Sequence, residues 1–90
     1  MAAPLFELGR LVATPGALAA LAPGEPSTLL SRHVSGDWGD VPPEDAAENE
    51  FIVRHGFRVV SSYETAGGTR VWVATEADRS STCILLPKEY

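Results

Sequence analysis

The run Arg32-His33-Val34-Ser35-Gly36-Asp37-Trp38-Gly39-Asp40 gathers a histidine, two carboxylates, a tryptophan and two glycines in a chain that has only two histidines and two tryptophans. His33 with Asp37 close by is the raw material of a general base or proton donor, because imidazole titrates near neutral pH. A plainer alternative sets His33 on the apolar stripe of a helix, bonded to a backbone carbonyl. His33, Asp37 and Asp40 are also metal-donor types. Their spacing fits none of the strong zinc or calcium patterns, and no second His or Cys cluster joins them, so no metal or other cofactor is expected. Trp38 offers two roles: an exposed anchor at an interface centre, or a plug for the end of a small core, with Gly36 and Gly39 allowing a tight path around it. The plug is the preferred reading, because a chain of 90 residues has little apolar surface to leave in water.

A second polar cluster, Thr75-Glu76-Ala77-Asp78-Arg79-Ser80-Ser81-Thr82, lies toward the C-terminus. Arginine engages phosphate and carboxylate through paired hydrogen bonds, so Glu76, Arg79 and the hydroxyls would suit an anion. Alternatively the segment is a hairpin turn, with Asp78 and Ser80 capping backbone amides and Arg79 pairing locally with an acid. No glycine-rich phosphate loop, nucleophile elbow or Cys-His triad occurs. Two site sets follow. A binding surface would use Asp37, Trp38, Asp40, Glu76, Asp78 and Arg79; an enzyme would use His33, Arg79 and Thr82. Cys83, alternating within an apolar strand, is expected to be buried.

The elements that must position these residues are readable from periodicity. Phe6 to Ala13 alternates loosely, as an edge strand does. Thr14-Pro15 resembles an N-cap with proline at the first helical position, opening a short helix to Ala22, with Gly24 ending it. Pro26 starts a second helix to Val34, with Leu29, Leu30, His33 and Val34 along one stripe. A third runs from Glu44 to His55, acids first and cations last as the helix dipole favours, and Gly56 terminates it. Its expected apolar stripe is Ala47, Phe51, Ile52 and His55. Beyond Gly56 the period becomes two, giving strands over Phe57–Glu64, Arg70–Glu76 and Thr82–Leu86. A loop over Ala66-Gly67-Gly68 would set Glu64 opposite Arg70, Tyr63 opposite Val71 and Ser61 opposite Val73; a two-residue Gly-Gly turn would set Tyr63 opposite Trp72. The first register is preferred. The expected fold is α+β, a single domain over residues 1–90 in the order β-α-α-α-β-β-β, with two or three short helices on a three- to four-stranded, mainly antiparallel sheet.

Composition bounds the function. The net charge is −5, and from Gly36 to Glu50 there are six acids and no base. Nucleic-acid binding, which is driven by phosphate neutralisation on a basic face, is not expected. The acidic stretch would suit a basic partner or imitate nucleic acid, or it is simply a solvated helix face. No run reaches the roughly 18 apolar residues of a membrane span. The N-terminus lacks the basic start and apolar segment of a signal peptide, and a single cysteine suits a reducing compartment, so a cytoplasmic protein is expected.

Three blocks carry a resemblance: Arg32 to Asp40 with Ser61-Ser62-Tyr63, then Val71 to Ser80, then the ending Leu85-Leu86-Pro87-Lys88-Glu89-Tyr90. In this order, and over nearly the whole chain from Leu8 onward, they resemble a family of small bacterial proteins often labelled plasmid-related and carried on mobile elements. The resemblance implies a role in plasmid maintenance or in conflict with restriction and other defences. Helices followed by a meander also look a little like compact ribonuclease toxins of the barnase and RelE type, in which His33, Arg79 and Thr82 would be the residues to test; the acidic balance counts against this. The leading expectation is a non-enzymatic module that binds a protein partner, with Gly36–Asp40 and Glu76–Thr82 forming one contact surface. The alternatives are a small RNase-like enzyme and an acidic decoy of a DNA-handling protein that engages it through Asp45, Glu48 and Glu50. Strand edges on so small a domain also suit a homodimer.

Overall fold

Thr14 caps the first helix as its sequence predicts: its hydroxyl accepts the Ala17 N–H at 3.2 Å, and Pro15 opens the first turn. In the computed structural model, which describes residues 4–90, the elements are β1 (Arg10–Ala13), α1 (Pro15–Ala20), α2 (Glu25–Val34), α3 (Pro43–His55), β2 (Val59–Glu64), β3 (Arg70–Thr75) and β4 (Ser81–Leu85). A short 3-10 turn over Pro87–Glu89 follows. Residues 1–3, part of the N-terminus read above for a leader, lie outside the described residues. The α+β class and the expected element order both hold.

The sheet order is β1-β4-β3-β2, with β1 parallel to β4 and the other pairs antiparallel. Glu64 pairs with Arg70, Tyr63 with Val71 and Ser61 with Val73. This is the register in which opposite charges meet on one face and apolar groups on the other. The inner face carries Tyr63, Val71, Val73 and Ile84, packed in one cluster with Ala17 of α1 and Leu29 of α2, and Val59, which is also buried. Burying each of the larger side chains contributes roughly 1.5–3 kcal/mol.

Two expectations are corrected. The first strand does not begin at Phe6. At Gly9 the backbone has φ +65, and a Cβ there would lie 2.4 Å from the Arg79 carbonyl oxygen. The chain turns at that glycine, so Phe6 leaves the sheet while Arg10 N–H enters it by bonding the Ser80 carbonyl at 2.9 Å. The stripe of α3 is also different. Ala47, Phe51 and His55 face solvent, and Phe51 stacks on His55 with ring centroids 4.1 Å apart. Ala46, Asn49, Ile52 and Val53 are the shielded positions instead.

The reason is where α3 sits. It runs beside the β2 edge, where strand backbone needs hydrogen-bond partners as well as apolar cover. Asn49, only 6% exposed, donates its amide to the Val60 carbonyl at 3.0 Å. The 38–40 segment closes that edge at Ser62: Ser62 N–H donates to Trp38 O at 3.1 Å, and Asp40 N–H donates to Ser62 O at 2.7 Å. Gly39 makes this approach feasible. It has φ +74, and a Cβ would fall 2.0 Å from Ser62 O.

Candidate functional site

Residues 25–34 wind a helix that points His33 at the inner face of the sheet, where the period-two strands supply hydroxyls rather than methyls at Ser61, Thr75 and Thr82. The His33 ring is 0% exposed. Its Nδ1 meets Ser61 Oγ, its Nε2 meets Thr75 Oγ1 at 2.8 Å, and Thr75 Oγ1 meets Thr82 Oγ1 at 2.7 Å. Thr82 Oγ1 then donates to the Leu8 carbonyl at 2.7 Å.

That last bond orients the two bonds at Thr75, and the low pKa of the ring orients the bond at Ser61. A carbonyl only accepts, so the Thr82 proton is committed to Leu8. The proton between the threonines must therefore come from Thr75, and the Thr75 oxygen must accept from His33 Nε2–H. His33 is assigned as the neutral Nε2–H tautomer, with bare Nδ1 accepting from Ser61. Burial, and secondarily the charge of Arg79, push the ring's pKa down to about 4. The helix-stripe reading of His33 holds, but its partners are side-chain hydroxyls and not a backbone carbonyl.

Trp38 is the plug, at 5% exposure. Its indole N–H reaches Glu50 Oε1 at 3.4 Å. Phe6 lies between several of the singled-out residues: 5.2 Å from the His33 ring edge-on, stacked 6.4 Å from Trp38, and 5.3 Å beneath the Arg79 guanidinium. The histidine bend and the closing hairpin thus share one neighbourhood, but an aromatic layer separates Arg79 from His33. Phe51, on the outer side of α3, takes no part in this cover. Thr82 reaches His33 only through Thr75.

The remaining expected site residues are held locally. Asp37 forms a two-bond pair with Arg32 at 2.6 and 3.2 Å and accepts Gly39 N–H at 3.2 Å. These bonds hold its carboxyl below the usual range. Arg32 also lies 4.7 Å over the Tyr63 ring, and burial pushes the Tyr63 phenol up to about 12 while it donates to Asp37 O at 2.6 Å. Asp78 caps Ser80 N–H at 3.0 Å, as the turn reading predicts. Arg79 is a correction: among the described residues it pairs with no acid. Its guanidinium donates to the carbonyls of Phe57 at 2.6 Å, Glu76 at 3.1 Å and Ile52 at 3.4 Å, clamping the turn to the end of α3. Cys83 is half-buried rather than buried, and partial burial raises its thiol pKa, which disfavours the reactive thiolate.

An open concavity lies on the sheet's other face. A groove of about 490 Å³ runs between α3 and the strands, with Val60, Ser62 and Trp72 as floor. Asp40, Asp45 and Glu48 line it together with Ile52, Arg58 and Tyr90. Tyr90 meets Trp72 edge-on at 5.4 Å. Arg58 lies 5.4 Å over the Tyr90 ring, donates to its hydroxyl and holds Glu76 at 2.8 and 3.0 Å. Asp40 pairs with Arg70 at 2.8 Å. Of the expected binding residues, the groove therefore includes Asp40 and is joined to Glu76 through Arg58. Trp38 and Arg79 support structure, while Asp37 and Asp78 serve their own turns.

Sequence reasoning passed over Trp72, Tyr90, Asp45, Glu48 and Arg58 as one set. A signal was present in β3. The preferred register already placed Trp72 on the face opposite Val71 and Val73, away from the core. Among the described residues, no three His, Cys, Asp or Glu side chains gather in a way that could hold a metal ion, and no helix is long and apolar enough to cross a membrane. No protein-family model, curated protein or solved structure matches the chain.

Proposed function

We propose that this chain is a non-enzymatic protein-interaction module whose contact surface is the groove between α3 and the outer face of the sheet. The supporting observation is that concavity of about 490 Å³, with an aromatic pair in its wall and floor. Its volume falls in the range of binding clefts, and tryptophan, tyrosine and arginine are the side chains that most often anchor interfaces. The contrast with His33 supports the same reading. A general base must reach the proton it takes, and this imidazole is sealed, neutral and hydrogen-bonded at both nitrogens. The resemblance to plasmid-related proteins adds a setting, the cytoplasm of a bacterium carrying a mobile element.

The test is affinity capture from such a host with the full chain, its Trp72→Ala/Tyr90→Ala double variant, and a Phe51→Ala control on the outer side of α3. A partner held by the wild type and the control but lost from a folded double variant is the expected result. An identical partner profile in all three proteins overturns the proposal.

A further inference from the structure

Resting on the reading of the outer groove as the contact surface, we infer that its occupant is a basic, extended segment of a partner protein, which lays an arginine or lysine over Trp72 against the acidic wall of α3. Charge complementarity carries this. The groove is lined by three acids, Asp40, Asp45 and Glu48, against one base, Arg58. That base is already engaged by the Glu76 carboxylate and the Tyr90 hydroxyl. Asp40 has Arg70. Asp45 and Glu48 make no ion pair among the described residues. Standing three positions apart on α3, they share one side of the helix, so their fields add over the groove.

The floor suits the same chemistry. An aromatic ring attracts a cation to its face, by about 0.5–1 kcal/mol where exposed and more where water is excluded. The groove already holds one such contact, Arg58 on Tyr90, while Trp72 is half-buried at the floor. Strand addition at the neighbouring β2 edge is blocked at two residues, because Ser62 is paired with the 38–40 segment and Val60 O with Asn49. Recognition in the groove is therefore by side chains, and a cationic side chain is what both wall and floor attract.

The experiment uses the isotopically labelled full chain and a blocked peptide of alternating glycine and arginine. Glycine–serine and glycine–glutamate peptides of equal length are the comparisons. The arginine peptide is expected to move the Trp72 indole resonance and the amides of Asp45, Glu48 and Ser62, leaving the Trp38 indole still. Its affinity should fall roughly tenfold on raising the salt from low to physiological strength or above. A similar loss is expected in Asp45→Asn/Glu48→Gln, whose side chains are exposed, and a smaller one in Trp72→Leu, which keeps apolar area without the ring's charge distribution. Equal binding of the serine or glutamate peptide, or arginine-peptide shifts confined to another surface, overturns the inference. If no peptide binds while Trp72→Ala/Tyr90→Ala still loses the captured partner, the basic occupant is wrong and the interaction reading stands. If the double variant loses nothing, both fall.

Discussion

His33 is a histidine whose surroundings remove the property that makes histidine reactive. Burial first, and the charge of Arg79 second, favour the neutral ring, and its folded pKa of about 4 lies below the ordinary 6.5. The unfolded chain therefore binds this proton more readily than the folded one. Stability is fully present above about pH 6.5 and is lost as pH falls toward 4, by on the order of 3 kcal/mol over that window. Thermal unfolding followed between pH 7.5 and 4 is expected to show this slope, and His33→Gln should flatten it whatever its effect on absolute stability. An equal slope in the variant would assign the acid sensitivity elsewhere. The hydroxyl relay gives a second expectation. Thr75→Val keeps shape but leaves His33 Nε2–H and Thr82 short of a partner, so it should destabilise by about 1–3 kcal/mol in urea unfolding. A neutral outcome would contradict the directed chain from Ser61 to Leu8.

Among the elements, the clearest device is the way α3 and the 38–40 segment finish the β2 edge. Gly39 is required there by both sign of φ and space, so Gly39→Ala must push the segment off Ser62 and break both of its bonds. A loss of about 2 kcal/mol or more is expected, with faster amide exchange at Ser62 as the local signature. Arg79 holds the opposite end of α3. Its three carbonyl acceptors belong to α3, the loop before β2 and the hairpin turn, so Arg79→Ala should cost about 1.5–3 kcal/mol. Arg79→Lys should recover only part of this, because a point ammonium cannot span the three acceptors as a planar fork does. Full recovery in the lysine variant would show that charge alone is at work.

At the scale of the whole molecule, the sheet divides two kinds of polar chemistry. The inner face holds the neutral, fully committed relay around His33; the outer face holds the open groove with uncompensated acids. These are packed from different sides of one sheet, and neither His33 nor Trp72 bonds the other's partners. His33→Gln and Trp72→Leu should therefore add in stability to within about 0.5 kcal/mol, with only the second weakening peptide binding. Non-additivity well beyond that would mean the two faces communicate through the strands.

Much of this arrangement was legible in the residues. The helix signals Thr14-Pro15 and Gly56, the period-two strands and the Glu64–Arg70 register follow from local propensity and alternation, which act over a few neighbouring positions, and Trp38 as a plug follows from the small size of the chain. What those rules could not give is which element lies against which. The true inward face of α3 carries Asn49 because the helix borders strand backbone, a circumstance set by residues far along the chain. Arg79 looked like half of an ion pair and is a clamp on carbonyls, because the turn at Gly9 and the end of α3 converge on it. The groove took shape only when β3 turned Trp72 outward, β2 lay beside α3, and the C-terminal turn brought Tyr90 onto the same face. Sequence alone determined the elements and their charges, since these depend on near neighbours; the tertiary structure decided which side chains are sealed and which stay open, since burial depends on contacts between distant ones.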